Sequence, residues 1–101
     1  MANCKGTILI QKFTINDNGV FVPCGFNRYV HRKNAKDGLS WFLKNALELD
    51  ENNFVNKIKE HKEPSPFESR TFHYYMIEEE DRLDKYDRFD GCDGFMASVY
   101  N

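Results

Sequence analysis

Apolar residues alternate along two early stretches of the chain. Thr7 to Ile15 is rich in β-branched and aromatic side chains, with Ile8, Leu9, Ile10, Phe13 and Ile15. From Val20 to Val30 the apolar residues Val20, Val22, Cys24, Phe26 and Val30 fall on one face, which is the period-two mark of a strand. Between the stretches, Asn16-Asp17-Asn18-Gly19 ends in Asn-Gly. That pair tolerates the positive φ of tight turns, so residues 7–30 predict a β-hairpin. Pro23 has no N–H for a ladder hydrogen bond, which places the second strand at a sheet edge or forces a bulge with Gly25.

The period then changes. Leu39, Phe42, Leu43, Ala46 and Leu47 recur at i, i+3, i+4, i+7 and i+8, predicting a helix over 37–48 capped by Asn34 or by Asp37. Asp50, with Leu49 and Phe54 in the positions of a hydrophobic staple, opens a second helix expected over 51–62. Its apolar edge is Phe54, Val55, Ile58 and His61, and Glu63-Pro64-Ser65-Pro66 ends it because proline disfavours helix before it. Phe67 to Ile77 reads as a strand, best formed over 68–77. Phe72, Tyr74 and Met76 lie on one side of it and Thr71, His73, Tyr75 and Ile77 on the other. Bulk on both sides marks an interior strand. Residues 78–89 read as a third helix stopped by Gly91, and residues 95–100 as a closing strand. The order β-β-α-α-β-α-β predicts one α+β domain over 1–101. Its sheet is antiparallel or mixed and four-stranded, with about three helices on one face. The expected core holds Ile8, Ile10, Phe13, Phe26, Leu39, Phe42, Leu43, Ala46, Phe54, Ile58, Phe72, Tyr74 and Phe95, and also Val22, Met76, Leu83 and Val99.

Composition narrows the class. With 101 residues the chain is one domain's length, and nine Phe, five Tyr and one Trp argue against intrinsic disorder. No apolar run approaches the roughly 18 residues of a membrane span, and Met1 to Gly6 lacks the apolar core of a leader, so no membrane association is expected. Three cysteines without close spacing (Cys4, Cys24, Cys92) make a poor disulfide framework. Reduced, mostly buried thiols in a cytoplasmic protein are expected instead. Those cysteines with one histidine could in principle hold zinc. Residues 90–94 lack the oxygen spacing of a calcium loop. No metal or cofactor is therefore expected. Nucleophile elbows, phosphate loops and His-Glu-x-x-His are absent, and the expectation is a protein that is not an enzyme.

Charge supplies the candidate surfaces. Asp81, Asp84, Asp87, Asp90 and Asp93 recur every third residue. Three acid-to-base pairs at i,i+4 (Glu78 with Arg82, Asp81 with Lys85, Asp84 with Arg88) suit a solvated helix. Glu79, Glu80, Asp81, Asp84, Asp87 and Asp90 form an acidic ridge that complements the basic groove of a larger protein. Trp41 points away from the apolar stripe of its helix and is a candidate contact for the same partner. Although the net charge is −2, residues 1–62 carry ten basic against six acidic side chains, and residues 63–101 four against ten. The basic half concentrates Arg28, Tyr29, Arg32, Lys33 and Lys36, where cations interleaved with an aromatic ring could grip phosphates and stack a base.

By size, composition and its acidic segment 78–93, the chain looks like the small acidic inhibitors of phages and mobile elements, such as anti-CRISPR proteins, or like immunity proteins and antitoxins. The resemblance carries over no individual residue. The leading expectation is a non-catalytic module that inhibits a larger nucleic-acid-handling protein through the acidic ridge. The alternative is a small nucleic-acid-binding regulator that uses the basic stretch 28–36.

Overall fold

The computed structural model describes residues 6–63, 70–79, 81 and 91–100. β1 (Gly6–Ile15) and β2 (Phe21–Arg32) form the expected antiparallel hairpin. Its turn is held by the Asn16 side chain, whose Oδ1 accepts from Asn18 N at 2.9 Å and Val20 N at 3.0 Å. Both consequences of Pro23 are present: β2 is an edge strand, and it bulges. Gln11 pairs with Asn27 but Phe13 pairs with Pro23, so Cys24, Gly25 and Phe26 stand against Lys12 alone. Gly25 takes up the excess at φ 95°, a conformation that side chains with a Cβ resist.

The sheet has five strands rather than the four expected, ordered β2-β1-β5-β4-β3 and antiparallel throughout. β4 is Arg70–Met76 and β5 is Gly94–Tyr100. β4 is an interior strand, as its two apolar sides implied. The extra strand is β3, Lys59–Glu63, which pairs with β4. It lies where the second helix was expected to continue. That helix, α2, is only Glu51–Phe54, although Asp50 does cap it by accepting from Asn52 N. Lys59-Glu60-His61-Lys62-Glu63 offers a helix no apolar stripe to bury. As an edge strand it satisfies the free ladder of β4, and its charges deter further pairing.

α1 (Ala35–Trp41) starts at Asn34, whose side chain accepts from Asp37 N at 2.8 Å. The helix then widens into a π-helical turn over Phe42–Ala46. Leu47 N donates to Phe42 O at 3.1 Å, the five-residue step of such a turn. Of the third helix, Glu79 and Asp81 are helical; residue 80 and residues 82–90 lie outside the described residues.

The main core lies between α1, its π-helical turn and one face of the sheet. Ile8, Ile10, Leu39, Phe42, Leu43, Phe54, Tyr75, Phe95 and Ala97 are buried there. A second cluster of Phe13, Phe72 and Met96, with Ile15, Phe21 and Tyr74 against it, occupies the opposite face. Phe21, on the β2 edge, lies 4.9 Å from the ring of His61 on the β3 edge. Rings from the two edge strands therefore touch across this face, and with Phe72 and Tyr74 they cover the second cluster.

Three expected core residues are exposed instead: Val22 (39%), Met76 (40%) and Val99 (55%). Met76 ends β4, past the packed rings, and Val22, next to Phe21 and opposite Thr14, faces away from them. Val99 follows Ala97 on the helix-bearing face but runs past its cover. Leu83 lies outside the described residues. On β4 the most buried side chain is Tyr75, from the side opposite Phe72, Tyr74 and Met76. Its hydroxyl donates to Asp81 Oδ2 at 2.7 Å, and the same oxygen accepts from Glu78 N at 2.9 Å. Tyr75→Phe leaves that buried carboxylate one donor short. It is expected to cost about 1–3 kcal/mol, read as a lower urea midpoint with an unchanged m-value.

Candidate functional site: a cationic aromatic cleft

The bulge on β2 shapes the site. Lys12 continues the parity of Ile8 and Ile10 and so faces the helical side, with no cross-strand partner on β2. Phe26 is turned to the same side. Across from them the π-helical turn presents Phe42, Ala46 and then Leu47. Lys12, Phe26, Arg28, Phe42, Ala46, Leu47 and Phe95 line a cleft of about 340 Å³. That lies near the low end of small-molecule sites, about 300–1,000 Å³. The rings of Phe26, Phe42 and Phe95 form its apolar wall, with centroids 5.7, 5.9 and 5.1 Å apart.

Cations rim this wall. The Arg28 guanidinium lies 6.0 Å from the Phe42 ring centre and 5.7 Å from that of Trp41. Arg32 lies 4.9 Å from the same Trp41 ring, and its Nη1 donates to His31 O at 2.6 Å. Two guanidinium groups thus converge on one indole, at cation–π distances. Lys33 and Lys36 are exposed at the start of α1. Among the described residues that line the cleft, none is a carboxylate. Among the described residues, the ion pairs are Lys44–Glu51 and Lys57–Glu78, and neither engages a rim cation.

The residues expected to act from sequence are sorted by this geometry. Arg28 and Arg32 meet at Trp41. Tyr29 does not join them: alternation along β2 sends it to the opposite face, where its ring packs 5.1 Å from Tyr100. Trp41, which the helical wheel turns away from the apolar stripe, is half-buried against the core cluster, because β2 runs alongside α1 and its arginines reach over the indole. Of the acidic ridge, Glu79 is exposed, whereas Asp81 is 8% exposed and bonded inward. Asp93 is also engaged: its carboxylate accepts from Ile15 N at 2.7 Å and its own N–H donates to Phe13 O at 2.8 Å. Glu80, Asp84, Asp87 and Asp90 lie outside the described residues.

Of the expected thiols, Cys92 is buried but Cys24, on the bulge, is exposed; Cys4 lies outside the described residues. Among the described residues no group of three or more His, Cys, Asp or Glu side chains is placed to hold a metal ion. None of their helices is long and apolar enough to cross a membrane.

Lys12, Phe26, Phe42 and Phe95 were not singled out as functional from sequence. The available signal was Pro23-Cys24-Gly25 inside a strand, which marks a bulge, together with a lysine at a core-facing position of β1. No protein-family model, curated protein or solved structure matches the chain.

Proposed function

We propose that the protein is a non-catalytic binding module for single-stranded nucleic acid, which it grips at the β2–α1 margin. The observation that carries the reading is the convergence of Arg28 and Arg32 on Trp41 beside an aromatic cleft that no described carboxylate lines. A cationic track that follows phosphates, next to rings on which bases stack, is the combination that sequence-tolerant single-strand binders use. Double-stranded DNA suits the site less well, since its bases are already stacked and the cleft could meet only its backbone. The net charge of −2 does not oppose this, because attraction depends on the local field of clustered cations. A protein partner held by the acidic ridge was the first expectation from sequence. Of that ridge Glu79 is exposed and Asp81 is bonded inward, while Glu80, Asp84, Asp87 and Asp90 lie outside the described residues; the cationic cleft is the surface whose geometry is described, and the proposal rests on it.

Titrating the protein into fluorescein-labelled oligothymidylate at about 50 mM salt, with anisotropy as readout, tests the proposal. Saturable binding with quenching of Trp41 fluorescence is expected. The Arg28→Ala/Arg32→Ala variant should bind at least tenfold more weakly, a loss of about 1.4 kcal/mol or more, with a melting temperature close to wild type. Absence of binding by the wild-type protein at that salt ends the proposal.

A further inference from the structure

The geometry points to the cleft as the seat of one nucleotide of the bound strand: its base lies against the half-exposed Phe26 ring and Ala46, over the buried edges of Phe42 and Phe95, and its phosphate lies between Lys12 and Arg28. This rests on the single-strand reading of the same site and adds to it a defined subsite below the surface track. Three observations lead to it.

The first is the cleft's form. About 340 Å³ lined by the half-exposed Phe26 ring, the small side chain of Ala46 and the edges of the buried Phe42 and Phe95 rings has room for a planar ring system. The second is Lys12. Its side chain is half-buried beside this apolar wall with no carboxylate partner among the described residues. An ammonium so placed calls for an anion, and a phosphate attached to a base that fills the cleft would supply one. The third is how the opening is made. The bulge of β2 frees Lys12 from its cross-strand neighbour, and the π-helical turn carries Phe42 and Ala46 across from it. Both are local departures from regular structure, and both kinds of departure gather at functional sites.

The test separates this inference from the reading beneath it. Oligothymidylate binding is compared for the wild type, Ala46→Leu, Lys12→Met and Arg28→Ala/Arg32→Ala. Thymidine 5′-monophosphate is added to the labelled wild-type protein while the methyl and aromatic NMR signals of Ala46, Phe26 and Phe95 are followed. Ala46→Leu narrows the cleft without touching the surface cations, and should weaken oligonucleotide binding about tenfold, the size expected for losing one base–aromatic stack. Lys12→Met should weaken it by a similar factor and carries the test if Ala46→Leu fails to fold. The monophosphate should shift the cleft signals. If Ala46→Leu and Lys12→Met bind as wild type while Arg28→Ala/Arg32→Ala binds weakly, the strand stays on the surface. The inference then falls and the single-strand reading stands. If the wild type binds no oligonucleotide, both fall.

Discussion

Gly94→Ala is expected to be among the most damaging single substitutions in the protein. Gly94 begins β5 and pairs with Met76 on one side and Phe13 on the other. A Cβ built there would collide with the Tyr75 carbonyl oxygen, which is backbone and cannot rotate away. It would also meet the Phe13 ring at 2.9 Å. Relief requires β4 and β5 to separate where Tyr75 and Phe95 seal the core. Overpacking commonly costs about 1–3 kcal/mol and more where backbone must move, so a loss above about 3 kcal/mol is expected. At this chain length that lowers the melting temperature by on the order of 10–20 °C. Calorimetry or circular dichroism melts read the effect. A variant that melts within a few degrees of wild type would mean that β4 and β5 do not approach each other as described.

The second large effect is expected for Phe13→Ala. Phe13 is fully buried, with ring centroids 4.8 Å from Phe21 and 6.0 Å from Tyr74. It is the centre of the second cluster, on the face that carries neither α1 nor its π-helical turn. Truncating such a side chain costs about 3–5 kcal/mol, as lost transfer energy plus the cavity left behind. Urea unfolding reads the loss. Amide exchange should also quicken at Ile15 and Asp93, whose hydrogen bonds close the hairpin onto β5, more than at Ile8 or Ile10 in the other core. A loss below about 1 kcal/mol would remove the second cluster from the account. Since Gly94 and Phe13 share a contact, the two substitutions should not add. Phe13→Ala should relieve part of the Gly94→Ala penalty, while the collision with the Tyr75 carbonyl remains.

These two residues show what could be read in the sequence and what could not. The hairpin was legible because Asn-Gly and the alternating flanks are local signals, and so were the edge position and the bulge, because proline's missing N–H acts locally. The cap at Asn34 and the apolar stripe of α1 were equally readable. The π-helical turn was not, since one extra residue in a turn leaves the i, i+3, i+4 pattern almost intact. β3 was missed because Lys59–Glu63 has little pattern of its own; it is a strand because β4 has a free edge to satisfy. The two sides of β4 were separable by alternation, but Tyr75 was left out of the expected core in favour of Tyr74, because which side is deeper depends on how far the helices reach across the sheet.

The site was legible in part. Arg28, Arg32 and Trp41 stood out as charge and aromatic signals. Their convergence depends on β2 lying alongside α1, a contact between distant segments. Phe26, Phe42 and Phe95 look like any core rings until the bulge opens a cleft beside them. Asp81 and Asp93 looked like members of an exposed row because their spacing is regular. They bind inward because Tyr75 and the backbone N–H groups of Glu78 and Ile15 need acceptors, and spacing along the chain does not show that need.

The salt dependence of oligothymidylate binding tests the central claim most directly. Each phosphate neutralised on a single strand contributes about 0.7 to the slope of log K against log salt. With three to five of Lys12, Arg28, Arg32, Lys33 and Lys36 engaged, the slope should lie between about −2 and −3.5. Removing Arg28 and Arg32 together should make it shallower by about 1.4. A flat salt dependence, or a slope that the double variant leaves unchanged, would contradict a cationic cleft that holds a nucleic-acid strand.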